Sequence, residues 1–252
     1  MLEKDNPFGH GHLNLVADTE MLLRRNPDAA GVLGIEPRRF EDFADLAGAL
    51  LASVAGIPGD VIRRIYAAHP SLVKRSCRDI SETARRNFEP GGAAATLLFA
   101  RGVHAVMAHR VAHQLWYDGD HTLALAVKSS FGRALCTDIH PAAQIGSGFW
   151  LDHGLGFVAG ETCVIGQDVS IWHNVTLGST LSDSGPRRHP TIGDGAVIGA
   201  GAIILGNITV GAAANVAAGA IVTKDVAAGT VVVGTQASQA GAAKVSFQNH
   251  KE

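Results

Sequence analysis

The sequence predicts an α+β chain in which an N-terminal α-helical domain (residues 1–137) precedes a C-terminal left-handed parallel β-helix of hexapeptide repeats (residues 138–234), with a tail at 235–252. The first observation behind this is a period. Ile192, Ile198, Ile204, Val210, Val216 and Val222 follow one another at steps of six, and Ile139, Ile145, Leu151, Phe157 and then Ile165, Ile171, Leu177 keep the same step. Six fits neither the helical 3.6 nor the strand period of two, so it marks a repeated unit, a short strand plus a turn. Three such units close one triangular coil, whose aliphatic side chains bury against the coils above and below. The second observation is composition: small residues fill most other slots, yet Ile and Val are far too frequent for a disordered Gly/Ala-rich tract. The third is the change of pattern upstream, where apolar residues recur at helical spacing.

Taken in order, the first seventeen residues are polar and rich in Gly and His, and they are expected to be poorly ordered. His10 and His12 are read there as solvated side chains rather than metal ligands. Residues 17–88 read as amphipathic helices punctuated by prolines, with Pro37 at a helix start and Pro58 and Pro70 marking later segments. The pairs Arg63-Arg64, Lys74-Arg75 and Arg85-Arg86 are expected on solvated faces. Glu89-Pro90-Gly91-Gly92 interrupts the helical run, because Pro and two Gly do not continue a helix cheaply. One long helix over 96–117 and another over 122–135 then lead into the solenoid. His104, His109 and His113 lie in the first of these. His109 and His113 are four apart, but no Glu follows as in a zinc hydrolase, so packing or helix–helix hydrogen bonding is the expectation.

The rhythm breaks twice. Eight residues separate Phe157 from Ile165 and fifteen separate Leu177 from Ile192, so residues 178–191 are expected to leave the prism as a loop. Loops on a rigid scaffold are favoured places for chemistry.

Composition narrows the function classes. The chain has 252 residues, a formal net charge of −2 and 46% hydrophobic residues, with no clustered Lys/Arg patch for nucleic acid. The first residues carry no apolar signal segment, and no apolar run reaches membrane-spanning length, so a soluble, cytoplasmic protein is expected. Cys77, Cys136 and Cys163 are widely spaced, which fits reduced thiols rather than disulfides or a zinc site, and no metal is expected. Cys163, close to the apolar register, is read as packing.

Candidate chemistry concentrates in Asp138-Ile139-His140, Leu151-Asp152-His153-Gly154 and Arg187-Arg188-His189-Pro190. A carboxylate beside an imidazole fixes its tautomer and raises its basicity, so Asp138 and His153, fifteen residues apart and thus at neighbouring levels, could take a proton from a hydroxyl. Asp152 and Arg188 could hold the amine and carboxylate of a zwitterion. The competing possibility is that these side chains only cap turns at solenoid corners.

The run Asp138-Ile139-His140-Pro141, Leu151-Asp152-His153-Gly154, Gly160-Glu161-Thr162, Val175-Thr176-Leu177-Gly178, Arg188-His189-Pro190 and Ile198-Gly199-Ala200-Gly201 closely resembles the serine O-acetyltransferases of the hexapeptide-repeat acyltransferase family. The likeness extends upstream through Leu97-Leu98-Phe99 and His113-Gln114-Leu115-Trp116, and so covers at least residues 89–226. It implies transfer of acetyl from acetyl-CoA to the hydroxyl of L-serine, the step that feeds cysteine synthesis. It also implies His153 as general base with Asp138 as its orienting partner, His189 beside them, and Asp152, Arg188, His189 and Glu89 around the amino acid. Gly178, Ala200, Gly201, Ala218 and Lys224 would line CoA, and a homotrimer or a dimer of trimers is implied. Departures are Glu89-Pro90 in place of the family's Asp-Pro, Gly234-Thr235-Gln236 in place of Gly-x-Pro, and a tail ending in His250-Lys251-Glu252 without the terminal Ile of the family, so no cysteine-synthase complex is expected. The alternatives are the same chemistry with another acyl-CoA or hydroxy amino acid, a zinc-dependent β-helix hydratase of the carbonic anhydrase type, and a catalytically silent scaffold. Of the solenoid histidines His140, His153, His173 and His189, only His173 falls outside an acyltransferase motif.

Overall fold

The computed structural model describes residues 14–182 and 185–243. Eight helices come first: α1 (Leu15–Arg25), α2 (Pro27–Leu33), α3 (Phe43–Ala55), α4 (Asp60–Ala68), α5 (Pro70–Arg86), α6 (Gly92–Phe99), α7 (Arg101–Tyr117) and α8 (His121–Leu135). Their ends follow local chemistry. Asn14, Asp42 and Asp120 accept hydrogen bonds from the first turns of α1, α3 and α8, and Pro27 and Pro70 open α2 and α5. Four sequence expectations change here. α1 already begins at Leu15, inside the stretch expected to be poorly ordered, while His10 and His12 lie outside the described residues. Pro37 opens no helix; α3 starts six residues later behind its Asp42 cap.

The long helix over 96–117 is two helices, parted at Ala100 in an extended conformation (φ −81°, ψ 104°). The break lies at a close approach to the solenoid. Gly102, in the first turn of α7, abuts the solenoid so closely that a Cβ there would sit 1.7 Å from the Leu151 carbonyl oxygen. Arg86, expected in solvent, instead reaches the solenoid and donates to the Ser170 hydroxyl at 3.1 Å and to the Val169 carbonyl at 3.4 Å. Deeper in the same junction Arg110 of α7 and Asp79 of α5 form a buried ion pair, with Arg110 also donating to the Gly146 carbonyl and Asp79 accepting from the Phe149 amide. Every charged atom there has a partner, as burial requires.

After Asp138 the chain winds as a parallel β-helix with three faces. Face one stacks β1 (Asp138–Ile139), β4 (Val158–Ala159), β7 (Thr176–Gly178), β10 (Ile203–Leu205) and β13 (Ile221–Val222). Face two stacks β2 (Gln144–Ile145), β5 (Val164–Ile165), β8 (Thr191–Ile192) and β11 (Thr209–Val210). Face three stacks β3 (Trp150–Leu151), β6 (Ser170–Ile171), β9 (Val197–Ile198), β12 (Asn215–Val216) and β14 (Val231–Val232). Each strand points its aliphatic residue inward; Ile171, Leu177, Ile198, Ile204 and Val210 are fully buried. Each such burial stabilises by roughly 1.5–3 kcal/mol relative to exposure.

The register moves the first break. Ile139 pairs with Ala159, and Ala159 with Leu177, so the strand position after Leu151 belongs to Ala159 and not to Phe157. Phe157 is a corner residue, buried like Phe149 and Ala143. The two extra residues therefore fall in the corner 152–157, which carries Asp152 and His153. The second excursion leaves after β7 and returns at β8, and its Asp183 and Ser184 lie outside the described residues.

Candidate active site

The two edges of face one hold nearly all the sequence-predicted site residues. Along the edge shared with face three, successive corners are stitched by backbone hydrogen bonds: the Asn174 amide to the Leu155 carbonyl, Gly201 to His173, and Gly219 to Ala200. His153, His173, Ala200, Gly201 and Ala218 thus stand one above another. His153 occupies a left-handed backbone conformation (φ 60°) with 62% of its side chain exposed, an uncommon state for a residue with a Cβ and a place to look for function. Its Nε2 lies 3.2 Å from Asp152 Oδ2, and its ring centroid is 5.5 Å from that of His173. Below it the corners are open and small, with Gly201 at φ 70° and Ala218 exposed.

The other edge, shared with face two, gathers Glu161, Thr162, Arg188 and His189. The Thr162 hydroxyl oxygen accepts from the backbone amides of Arg188 (3.0 Å) and His189 (3.1 Å), and lies 2.9 Å from His189 Nδ1. The Thr162 amide also donates to that nitrogen at 3.2 Å. The buried His189 ring occupies space that only a glycine at 160 leaves free, since a Cβ there would meet Nε2 at 2.0 Å. Arg188 donates to Glu161 Oε2 at 2.7 Å, and this bond holds the Glu161 carboxyl below the usual range. His140 adjoins the same charges, yet burial, the largest influence on it, pushes its imidazole below the usual value. Gly178 ends β7 against Leu205, and Lys224 is exposed just after β13.

Asp138 opens β1 on face one. Its Oδ1 lies 2.5 Å from Lys128 Nζ of α8, so within the single chain it is Asp152, not Asp138, that contacts His153. Glu89 lies between α5 and α6. It lines a cavity of about 830 Å³ in the helical domain with Met21, Phe88 and Gly91. A second cavity of about 720 Å³ lies between Arg75, His113 and Trp116 of the helices and Gln144, Gln167 and Asp194 of face two. Among the described residues no group of three or more His, Cys, Asp or Glu side chains could hold a metal ion. Cys163 is packed inside the coil, its thiol pushed up to about 12 by burial. His104 Nε2 donates to the Leu97 carbonyl and His113 Nδ1 to the Pro141 carbonyl, each at 2.7 Å, while His109 is fully enclosed, so all three are structural.

Thr162, Glu161, Lys128 and His173 were not singled out as site residues from the sequence. The Gly160-Glu161-Thr162 motif offered a signal for the first two; nothing local marks the others, whose neighbours come from distant levels.

No family model matches the chain. Relatives do. "Serine acetyltransferase" of Buchnera aphidicola is 43% identical over 251 residues, covering 94% of this chain and 90% of that protein. "Serine acetyltransferase 2" of Arabidopsis thaliana is 55% identical over 141 residues, 56% of this chain; the match spans only 43% of that protein, less than half its length. Among solved structures, the Neisseria gonorrhoeae serine acetyltransferase in complex with serine superimposes with a TM-score of 0.80 at 36% identity, covering 89% of this chain and 95% of that one. The Brucella abortus serine acetyltransferase in complex with coenzyme A gives a TM-score of 0.80 at 35% identity, covering 90% and 93%. With matches of this identity running along both the helices and the prism, the chain belongs to the serine acetyltransferase family.

Proposed function

We propose that this chain transfers acetyl from acetyl-CoA to the hydroxyl of L-serine, giving O-acetyl-L-serine and free CoA. The observation that carries the reading is His153, an exposed imidazole on a left-handed corner with a carboxylate against one ring nitrogen, above a column of small, open corners. The serine complex of one relative and the coenzyme A complex of another support the same pair of substrates.

His153 acts as general base. A serine hydroxyl is a weak nucleophile until a base removes its proton, and a positioned base contributes about 10²–10⁴-fold. The alkoxide oxygen bonds to the thioester carbonyl carbon, the carbon–sulfur bond breaks, and the proton on His153 passes to the CoA thiolate. No covalent enzyme intermediate is required. Asp152 takes the substrate ammonium, Arg188 the carboxylate, and His189 holds the amino acid beside them. As the ammonium draws on Asp152, the Nε2 of His153 is released toward the hydroxyl and Asp138 becomes the orienting carboxylate. Ala200, Gly201 and Ala218 form the CoA channel below His153, with Gly178 and Lys224 completing it from the other edge.

Since His153 and the Arg188/His189 pair stand on opposite edges of one face, the reading also proposes that neighbouring prisms of a trimer complete each site, and that the helical domain pairs two trimers. The test is thiol release by purified protein: it is expected to need both acetyl-CoA and L-serine and to be nearly abolished in His153→Ala. Turnover retained in that variant excludes His153 as base. A panel of hydroxy amino acids and acyl-CoAs, ranked by kcat/KM, tests the choice of serine and acetyl, and a better acceptor than L-serine moves the assignment to that compound.

A further inference from the structure

Of the two solenoid histidines that the proposed mechanism does not use, His140 and His173, it is His173 whose ring lies against the proposed base. The two rings are 5.5 Å apart between centroids with a 58° tilt. Among the described residues, the only ring or ion-pair contacts of His153 are Asp152 Oδ2, which meets the edge of its ring at Nε2, and His173, which meets its ring system. A side chain that is 62% exposed on a corner is not otherwise confined. One charge contact along an edge leaves the ring free to swing; a second ring against it restricts that freedom, and catalysis depends on such orientation.

The Nδ1 of His173 is shut away from solvent and meets no hydrogen-bond partner among the described residues. An aromatic ring attracts a cation set against it. During transfer the cation is His153 itself, between taking the serine proton and returning it to the CoA thiolate. His173 gains and loses no proton in this sequence.

We infer that His173 is a positioning residue for acetyl transfer: its ring is the platform that sets the His153 imidazole and supports the imidazolium formed on it. This rests on the acetyl-transfer reading above. The ring, and not a ring nitrogen, is what matters.

The experiment compares His173→Ala, His173→Phe and His173→Gln in the full-length chain. In the alanine variant kcat is expected to fall about three- to thirtyfold, the loss of one such contact, while KM for L-serine stays within about twofold, because the residues proposed to hold the amino acid are left in place. Phenylalanine keeps the ring and is expected to recover most of the loss; glutamine keeps a polar group without a ring and is not. In parallel, NMR titration of the His153 imidazole is expected to show a lower midpoint in His173→Ala, returning toward wild type in His173→Phe. Equal kcat in the phenylalanine and alanine variants would assign the role to a ring nitrogen and overturn the platform, as would wild-type kcat in His173→Ala. If the alanine variant does not fold, the phenylalanine and glutamine variants decide alone: equal turnover overturns the proposal. A wild-type protein without serine-dependent thiol release would sink the acetyl-transfer reading, and the titration would still judge whether His173 supports the protonated ring.

Discussion

Two edges of the same prism face carry the candidate chemistry, and they are built in opposite ways. On one, His153 stands exposed on a strained corner with Asp152 and His173 beside it. On the other, Arg188 and His189 are tied down before any ligand arrives, through one threonine hydroxyl and a glycine that makes room for a ring. The contrast follows from what each must do. Residues that recognise fixed charges on a substrate gain from rigidity, since ordering them at binding would cost affinity. A base must change protonation state and exchange partners within each turnover, and the exposed corner suits the role proposed for His153.

The strongest way to break this contrast is to remove the base while relaxing its backbone. His153→Gly takes away the imidazole and places at φ 60° the residue that tolerates it best. Turnover is expected to drop about 10²–10⁴-fold, while the unfolding free energy stays within about 1 kcal/mol of wild type, since the side chain is mostly exposed. A loss of stability comparable to a core substitution, measured by denaturant titration, would mean that His153 is a structural corner and not an active one.

Next in size is the opposite edge. Thr162→Val is nearly isosteric but removes the oxygen that two loop amides and His189 Nδ1 share. Leaving the two loop amides unpaired costs about 1–3 kcal/mol. KM for the amino acid is expected to rise more than tenfold with a smaller change in kcat, and the melting temperature should fall. The reverse split, with kcat lost and KM unchanged, would move Thr162 from anchoring the loop to assisting the chemistry.

How much of this was legible in the sequence differs between the edges for physical reasons. The period of six is a direct consequence of burying one aliphatic per strand, so the prism could be read without coordinates. The first break was misplaced because Phe157 is apolar and lies six after Leu151, while the true strand position holds the small Ala159; hydrophobicity alone cannot separate a corner ring from a strand methyl. The split between α6 and α7 was hidden for a related reason. It falls beside Gly102, whose lack of a side chain lets the backbone lie against the Leu151 carbonyl, a close approach across about fifty residues of sequence that no local pattern reports. Arg188 and His189 were visible as residue types in a loop; their anchor, Thr162, lies a full coil away.

A smaller effect concerns Glu161. Its carboxyl is held low, first of all by the hydrogen bond from Arg188. A depressed carboxylate stabilises its pairing above the unfolded pKa and loses it as pH falls through the lower folded value, so the pairing is complete at neutral pH and fails only in acid. Accordingly, KM for the amino acid is expected to show no dependence on Glu161 between about pH 6 and 8. Glu161→Gln is expected to raise KM only a few-fold at pH 7, because the pair is about 40% exposed and well screened. A change of tenfold or more would put Glu161 among the groups that touch substrate.

The smallest expected effect tests the link between the helical domain and the base. Lys128 of α8 holds Asp138 at 2.5 Å, and Asp138 is 61% exposed, so the pair itself is worth at most about 1 kcal/mol. Its interest is competition. While Asp138 faces Lys128 its charge is shared with that ammonium, and an acidic partner on His153 would raise the basicity of that imidazole. Lys128→Met frees Asp138, and the acid limb of the kcat/KM profile is then expected to move up by a few tenths of a pH unit. Asp138→Asn should lower kcat and abolish that response in the double variant. An acid limb that stays in place in Lys128→Met, with Asp138→Asn still slow, would mean that Asp138 serves the site from its place beside Lys128, and that Asp152 alone orients the base.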